Sequence, residues 1–259
     1  MGKYNSSIVN MVLRLIGSET ISEMELYTSK ALKRNFIEFN NESNLYSFFN
    51  QYMDDFYNNH TESEISTLRS YTGRSFTDIN SILRGYWNYE KSGQLTSKKE
   101  EELRKFSSDL SLIMHDLPNL PTNIKTFRGV YLDAFKDYGI TSVEELLHLK
   151  GQYLYESGFT STSLLRKSSL YGKELEPNKY CNIEIEYLIP EEVNEAVPLI
   201  NEDLSYLKSE SELLLDKGCL SKIVDIIINE DKTKAHIVVL LIPKKIYDRE
   251  KTNKQSINK

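Results

Sequence analysis

Two glutamates flank one serine in Glu210-Ser211-Glu212, immediately ahead of Leu213-Leu214-Leu215. If the chain from Ser211 is a strand, residues two apart share a face, so two carboxylates enter one space at the edge of an apolar core. Like charges held that close repel unless water or a cation faces them. Such a pair can receive a cationic partner. Taken alone, the same pattern also fits a solvated sheet edge.

Three other stretches carry groups of use beside an anion pair. In Phe159-Thr160-Ser161-Thr162-Ser163 alternation puts Ser161 and Ser163 on one face of a strand. Thr126-Phe127-Arg128-Gly129 sets an arginine at a strand end, where a guanidinium can fork onto a carboxylate or phosphate. Tyr71-Thr72-Gly73 leads into a helical stretch from Arg74 to Gly85, whose spacing predicts a buried stripe of Phe76, Ile79 and Leu83. Asn80 and Arg84, four apart, project together beside that stripe and could reach an anionic ligand.

The other catalytic grammars are missing from the sequence. His60, His115, His148 and His236 lack metal-ligand spacing, and Cys181 and Cys219 lie far apart, so no metal and no disulfide framework is expected. No glycine-rich phosphate loop is present, so a nucleotide would have to be held by side chains.

The elements that must position these residues divide at Leu117-Pro118-Asn119-Leu120-Pro121. Before it, apolar residues recur at helical spacing over 6–16, 22–36, 42–57 and 98–115. After it, short β-branched and aromatic runs predict strands at 125–131, 156–163, 180–189, 196–200, 211–215, 220–228 and 235–242, with short helices at 142–149 and after Ser163. Helices first and strands second, without βαβ alternation, predict an α+β domain with a mixed or antiparallel sheet covered by helices. The expectation is one domain over 1–259, helical over 1–118, β-rich over 119–247 and ending in a frayed polar tail over 248–259.

Across 259 residues, 32 Lys+Arg against 38 Asp+Glu give a net charge of −6, which disfavours a nucleic-acid partner held by its backbone. No run approaches the ~18 apolar residues of a membrane span, and the start shows no secretory signal because Arg14 interrupts its apolar segment. Met1-Gly2-Lys3-Tyr4-Asn5-Ser6 fits a loose myristoylation pattern that many ordinary starts share.

In their order along the chain these pieces resemble the arginine-serine-glutamate class of mono-ADP-ribosyltransferases, the class of the C3 exoenzymes and of the enzymatic components of binary actin-modifying toxins. The resemblance rests on Thr72, Asn80 and Arg84 on a helix, Arg128 on the first core strand, Ser161-Thr162-Ser163 on the next, and Glu210-Ser211-Glu212, and it runs from about residue 61 to 245. It implies an ADP-ribosyltransferase-like fold, with N-terminal helices packed on a two-sheet β core, and NAD as substrate. It further implies that Glu212 holds the nicotinamide ribose and stabilises the cation left when nicotinamide departs, that Ser161 orients Glu212, and that Arg128 and Arg84 hold the pyrophosphate with help from Asn80. Thr72, Gly129, Thr162, Ser163 and Arg166, the one arginine after the Ser-Thr-Ser, would complete the NAD site. Glu210 implies an arginine acceptor, with Tyr206 or Leu207 touching the target protein, for which actin and small GTPases are analogies. A polar insertion, Tyr171 to Lys179, has no counterpart in the pattern. The whole implies a monomeric bacterial toxin or effector, delivered to a target-cell cytosol or cytoplasmic. An NAD glycohydrolase or a catalytically silent interaction module of the same fold are the alternatives.

Overall fold

The computed structural model describes residues 22–87, 94–176, 179–206 and 211–257. The helices are α1 (Glu23–Ala31), α2 (Glu42–Asn59), α3 (Glu62–Ser70), α4 (Phe76–Leu83), α5 (Ser97–His115) and α6 (Lys244–Ile257). The strands are β1 (Ile124–Val130), β2 (Tyr153–Glu156), β3 (Thr160–Ser163), β4 (Glu174–Glu176), β5 (Lys179–Tyr180), β6 (Ile183–Ile189), β7 (Ala196–Leu199), β8 (Glu212–Leu215), β9 (Cys219–Ile228) and β10 (Ala235–Ile242). The α+β class stands.

The expected two-sheet core is, by hydrogen bonding, one mixed sheet in the order β2-β9-β10-β6-β1-β3-β8-β7. Its middle is a seam, because β1 and β3 share a single register pair, Phe127 opposite Ser163, whereas β1 and β6 pair along seven residues. The stretch predicted as one strand over 156–163 is split at Ser157-Gly158, sending β2 to one edge of the sheet and β3 beyond the seam. The insertion folds in part as the β4–β5 hairpin.

Alternation along β6 directs Ile183, Ile185, Tyr187 and Ile189 into the main core, under α2 and α5. There Leu45, Phe49, Met53 and Phe56 of α2, at helical spacing, form a buried stripe, with Phe49 and Phe56 wholly inaccessible, each stabilising by about 2 kcal/mol relative to exposure. A smaller cluster on the other face of the sheet joins Met24 and Ala31 of α1 to Leu188, Leu240, Ile246 and Tyr247. That cluster corrects the expectation of a frayed tail. Ile246 and Tyr247 are buried, Glu250 accepts from the backbone N–H of Met24 at 2.9 Å, and Arg249 pairs with Glu23 at 2.6 Å, so the polar end is held as helix α6. Helix α1 ends five residues short of the predicted Phe36, because Ile37 and Phe39 turn extended and bridge to Ile124 and Leu165. The predicted helix over 6–16 lies outside the described residues.

Helix α3 starts with a capping box between Thr61 and Glu64 and runs into a π-helical turn, Tyr71–Ser75. Gly73 breaks helical geometry there with ψ at −123°, and the chain restarts as α4 in a new direction. Beyond the seam, β8 is fastened at its far end by the fully buried Asp216, which accepts from Ser111 Oγ of α5 at 2.7 Å and lies 3.0 Å from His115 Nε2.

Candidate active site

A cleft of about 320 Å³ opens where the π turn and α4 meet the ends of β1, β3 and β8. Tyr71, Thr72, Phe76, Asn80 and Arg84 form one side, and Ser168, Ser169 and Leu170 the other. Phe127, Arg128, Gly129, Phe159, Ser161, Thr162, Ser163 and Glu212 form the floor. The size suits a small polar ligand with one or two flat rings.

Arg128 projects from the helix-covered side of β1, in register with Ile185. Its Nη1 is buried and has no hydrogen-bond partner among the described residues. A buried cationic donor without an acceptor is costly, so this atom marks a place for a ligand anion. Arg84 is also largely buried. Its Nη2 donates to Phe159 O at 3.3 Å and to Glu156 at 3.4 Å, both long contacts that an incoming phosphate could replace. Burial is the largest single influence and works against the Arg84 charge, but Glu156, Tyr86 and Tyr71 together outweigh it and raise the pKa above the ordinary arginine value.

Asn80 lines the cleft in a different capacity from that expected. Its Oδ1 accepts from the Phe159 N–H at 2.9 Å and its Nδ2 donates to Tyr71 Oη at 3.0 Å, so its amide locks α4 to the start of β3. Burial pushes the Tyr71 phenol well above its usual pKa and keeps it neutral. Gly158 is required at this junction, since a Cβ there would sit 2.6 Å from Asn80 Oδ1.

Glu212 opens β8, 7% exposed and in register with Ser163. Ser161, one alternation back on the same face, is a diagonal neighbour of Glu212 and is exposed to the cleft. The other two hydroxyls are turned to backbone: Thr162 Oγ1 donates to Leu213 O at 2.9 Å and Ser163 Oγ to Leu165 O at 2.7 Å. Ser211, just before Glu212, has φ of +46°, a left-handed conformation that costs a non-glycine residue about 1 kcal/mol. The Leu164 N–H donates to its carbonyl at 2.8 Å and holds it there. Glu210 and Leu207 lie outside the described residues.

Thr72 ties the π turn to the chain ahead of β8, because its hydroxyl donates to Arg69 O at 2.9 Å and accepts from the Tyr206 N–H at 3.2 Å. Tyr206 is 61% exposed and lies under the Arg69 guanidinium, 4.8 Å from ring centroid to carbon, packed close to Gly73. Arg166 is not brought to the cleft. It turns outward to Glu186, 2.9 Å away, where two buried carboxylates attract it. Of the expected stripe, Ile79 is buried and Leu83 partly so, but Phe76 in the first turn of α4 is 45% exposed and lines the cleft, while Ile82 is buried. The segment after Ser163 does line the cleft, through Ser168, Ser169 and Leu170, whereas Tyr71, Phe127 and Phe159 join it with no sequence signal beyond the flanking Gly129 and Gly158. Among the described residues no group of three or more His, Cys, Asp or Glu could hold a metal, and no helix is long and apolar enough to cross a membrane.

A sequence profile for the ADP-ribosyltransferase exoenzyme family matches residues 46–244, most of the chain and all of the cleft. The chain belongs to this family. As an ADP-ribosyltransferase exoenzyme it shares its fold with several solved structures. The C3 exoenzyme of Clostridium limosum superposes with a TM-score of 0.63 at 22% identity, covering 81% of this chain and 98% of that one. C3stau2 from S. aureus, solved with NAD, gives 0.62 at 18% identity, covering 81% and 100%. BECa, the ADP-ribosylating toxin of a binary enterotoxin of C. perfringens, solved with NADH, gives 0.61 at 21%, covering 80% of this ADP-ribosyltransferase and 50% of BECa. A comparison with curated proteins finds no match.

Proposed function

We propose that this ADP-ribosyltransferase binds NAD in the cleft, breaks the bond between nicotinamide and ribose, and transfers ADP-ribose to an arginine of a target protein. The observation that carries the reading is the buried Nη1 of Arg128, without a partner among the described residues, in the same 320 Å³ space as the buried carboxylate of Glu212. A ligand with a phosphate at one end and, at the other, a ribose that becomes cationic meets Arg128 and Glu212 together. C3stau2 was solved with NAD, which supports the assignment.

In this reading Arg128 and Arg84 hold the pyrophosphate as forked cations, with Thr72 and Gly129 alongside. The nicotinamide ring lies among Phe127, Phe159 and Phe76, and Glu212 faces the ribose. As the bond from ribose C1′ to nitrogen breaks, nicotinamide leaves with the electron pair and positive charge spreads over C1′ and the ring oxygen. Glu212 stabilises that charge, and Ser161 keeps the carboxylate aimed. An arginine nitrogen then attacks C1′ and gives up a proton. A free guanidinium is a poor nucleophile, and Glu210 holds it and accepts the proton. Tyr206, exposed at the rim and stacked on Arg69, contacts the target protein. The helical and β-rich halves act as one catalytic unit, and the chain works as a toxin or effector in a target cell, with actin or a small GTPase as analogies for its substrate.

The test is incubation with labelled NAD and a cell lysate, followed by mass spectrometry of the labelled band. Label on arginine supports the reading. Label on another residue type removes the acceptor assignment, and nicotinamide release without any labelled protein makes the chain an NAD glycohydrolase.

A further inference from the structure

Two carboxylates on the outer face of β6, Glu184 and Glu186, are each 5% exposed although they face away from the main core. The register sets Glu186 opposite Phe127 of β1 and Glu184 opposite His236 of β10. Three basic groups converge on them. His236 lies 2.9 Å from Glu184 through Nδ1 and 3.3 Å from Glu186 through Nε2, and Lys125 Nζ lies 2.8 Å from Glu186. Arg166 Nη2 lies 2.9 Å from Glu186.

Lys125 and His236 belong to the sheet, but Arg166 does not. It opens the single 3-10 turn Arg166–Ser168, and the next residues, Ser169 and Leu170, are wall of the cleft together with Ser168. The Arg166 guanidinium also lies 4.4 Å from the ring of Phe127, which is part of the cleft floor. A second fastening follows: the backbone of Leu170 and Tyr171 is pressed onto Gly129, where an added Cβ would meet Tyr171 N at 2.1 Å. The wall segment is thus pinned at both ends, by an ion pair at Arg166 and by backbone contact at Gly129.

We infer that Arg166 is a positioning residue that clamps the 168–170 wall of the cleft onto the outer face of the sheet, setting the width available to NAD without touching it. The inference rests on the reading of the cleft as an NAD site. Removing one partner of a buried ion pair normally strands the other charge. Here Glu186 keeps Lys125 and His236, so loss of Arg166 falls on the wall and spares the sheet.

The experiment compares R166Q and R166K with wild type by nicotinamide release across NAD concentrations, and by amide hydrogen exchange. R166Q is expected to raise KM for NAD about five- to tenfold with kcat within about twofold, and to speed exchange at 167–171 but not in β1 or β6. R166K, which keeps the charge, is expected within about threefold of wild type in KM. Unchanged KM or unchanged exchange in R166Q overturns the clamp, and so does a fall in kcat at constant KM. If wild type releases no nicotinamide, the NAD reading fails, while the exchange comparison still decides whether Arg166 holds the wall.

Discussion

Replacing Glu212 by glutamine removes one negative charge from the cleft at nearly constant shape. The carboxylate is 7% exposed and sits at the start of a strand beside Ser163, so water cannot take over its role. A unit charge about 4 Å from a full positive charge, at an effective dielectric of about 20, is worth about 4 kcal/mol. If the ribose carries most of a unit charge as nicotinamide departs, that is about a thousandfold in rate. Binding should change less than the rate, because in ground-state NAD the positive charge sits on the nicotinamide ring nitrogen and reaches the ribose only as the bond to C1′ breaks, and the pyrophosphate contacts remain. E212Q should therefore lose about three powers of ten in kcat for nicotinamide release, with KM within about fivefold of wild type. The assay is initial-rate nicotinamide release across NAD concentrations, with far-UV circular dichroism and Tm as checks on folding. A folded E212Q whose kcat lies within tenfold of wild type would refute the electrostatic role.

If Glu210 acts on the acceptor alone, as proposed, E210Q should lower transfer to arginine by about a hundredfold while leaving NAD hydrolysis within about threefold; equal loss in both assays would place Glu210 in bond cleavage. G129A should lower stability by about 2 kcal/mol and Tm by about 5 °C, since the new Cβ would meet backbone rather than a movable side chain, 2.1 Å from Tyr171 N and 2.4 Å from Leu170 C; a Tm within 1 °C of wild type would show that the wall yields freely. His236 is raised to about pKa 9 by its hydrogen bonds to Glu184 and then Glu186. Its contribution to stability is therefore fully present below about pH 6.5 and lost as pH rises through about 9. Urea unfolding should find H236Q less stable by on the order of 2 kcal/mol near pH 6, with the difference shrinking by about pH 9.5; a pH-independent difference would mean that packing, not charge, is what His236 supplies.

Much of the site could be read from the chain before any coordinates, because strand periodicity is strict. Alternation alone sets Ser161 and Ser163 on one face, and the run of leucines after Glu212 fixes β8 as a buried strand with its carboxylate at the mouth. What escaped the sequence came from tertiary competition for the same side chain. Asn80 and Arg84 do project together from α4, but nothing local reveals that the Asn80 amide is already committed to Phe159 and Tyr71. Helical spacing counts Phe76 into a buried stripe with Ile79, but Phe76 opens α4, where its ring borders the cleft and only Ile79 reaches the core. Arg166 illustrates the same limit for charge. Its nearness in sequence to the Ser-Thr-Ser suggested phosphate, yet Glu186, twenty residues on, is the partner that reaches it. The polar end of the chain looked unstructured for want of apolar residues, and only the partners on α1 make it a helix.

The seam between β1 and β3 divides the site's charges between two leaves of the sheet. Arg128 belongs to the leaf that ends at β1, whereas Ser161 and Glu212 belong to the leaf formed by β3, β8 and β7, and one register pair, Phe127 with Ser163, joins them. A molecule whose phosphate meets Arg128 while its sugar meets Glu212 spans that join and supplies a cross-tie that the backbone omits. If NAD binds as proposed, twisting one leaf against the other would change the distance between Arg128 and Glu212, the two groups that its phosphate and its ribose meet.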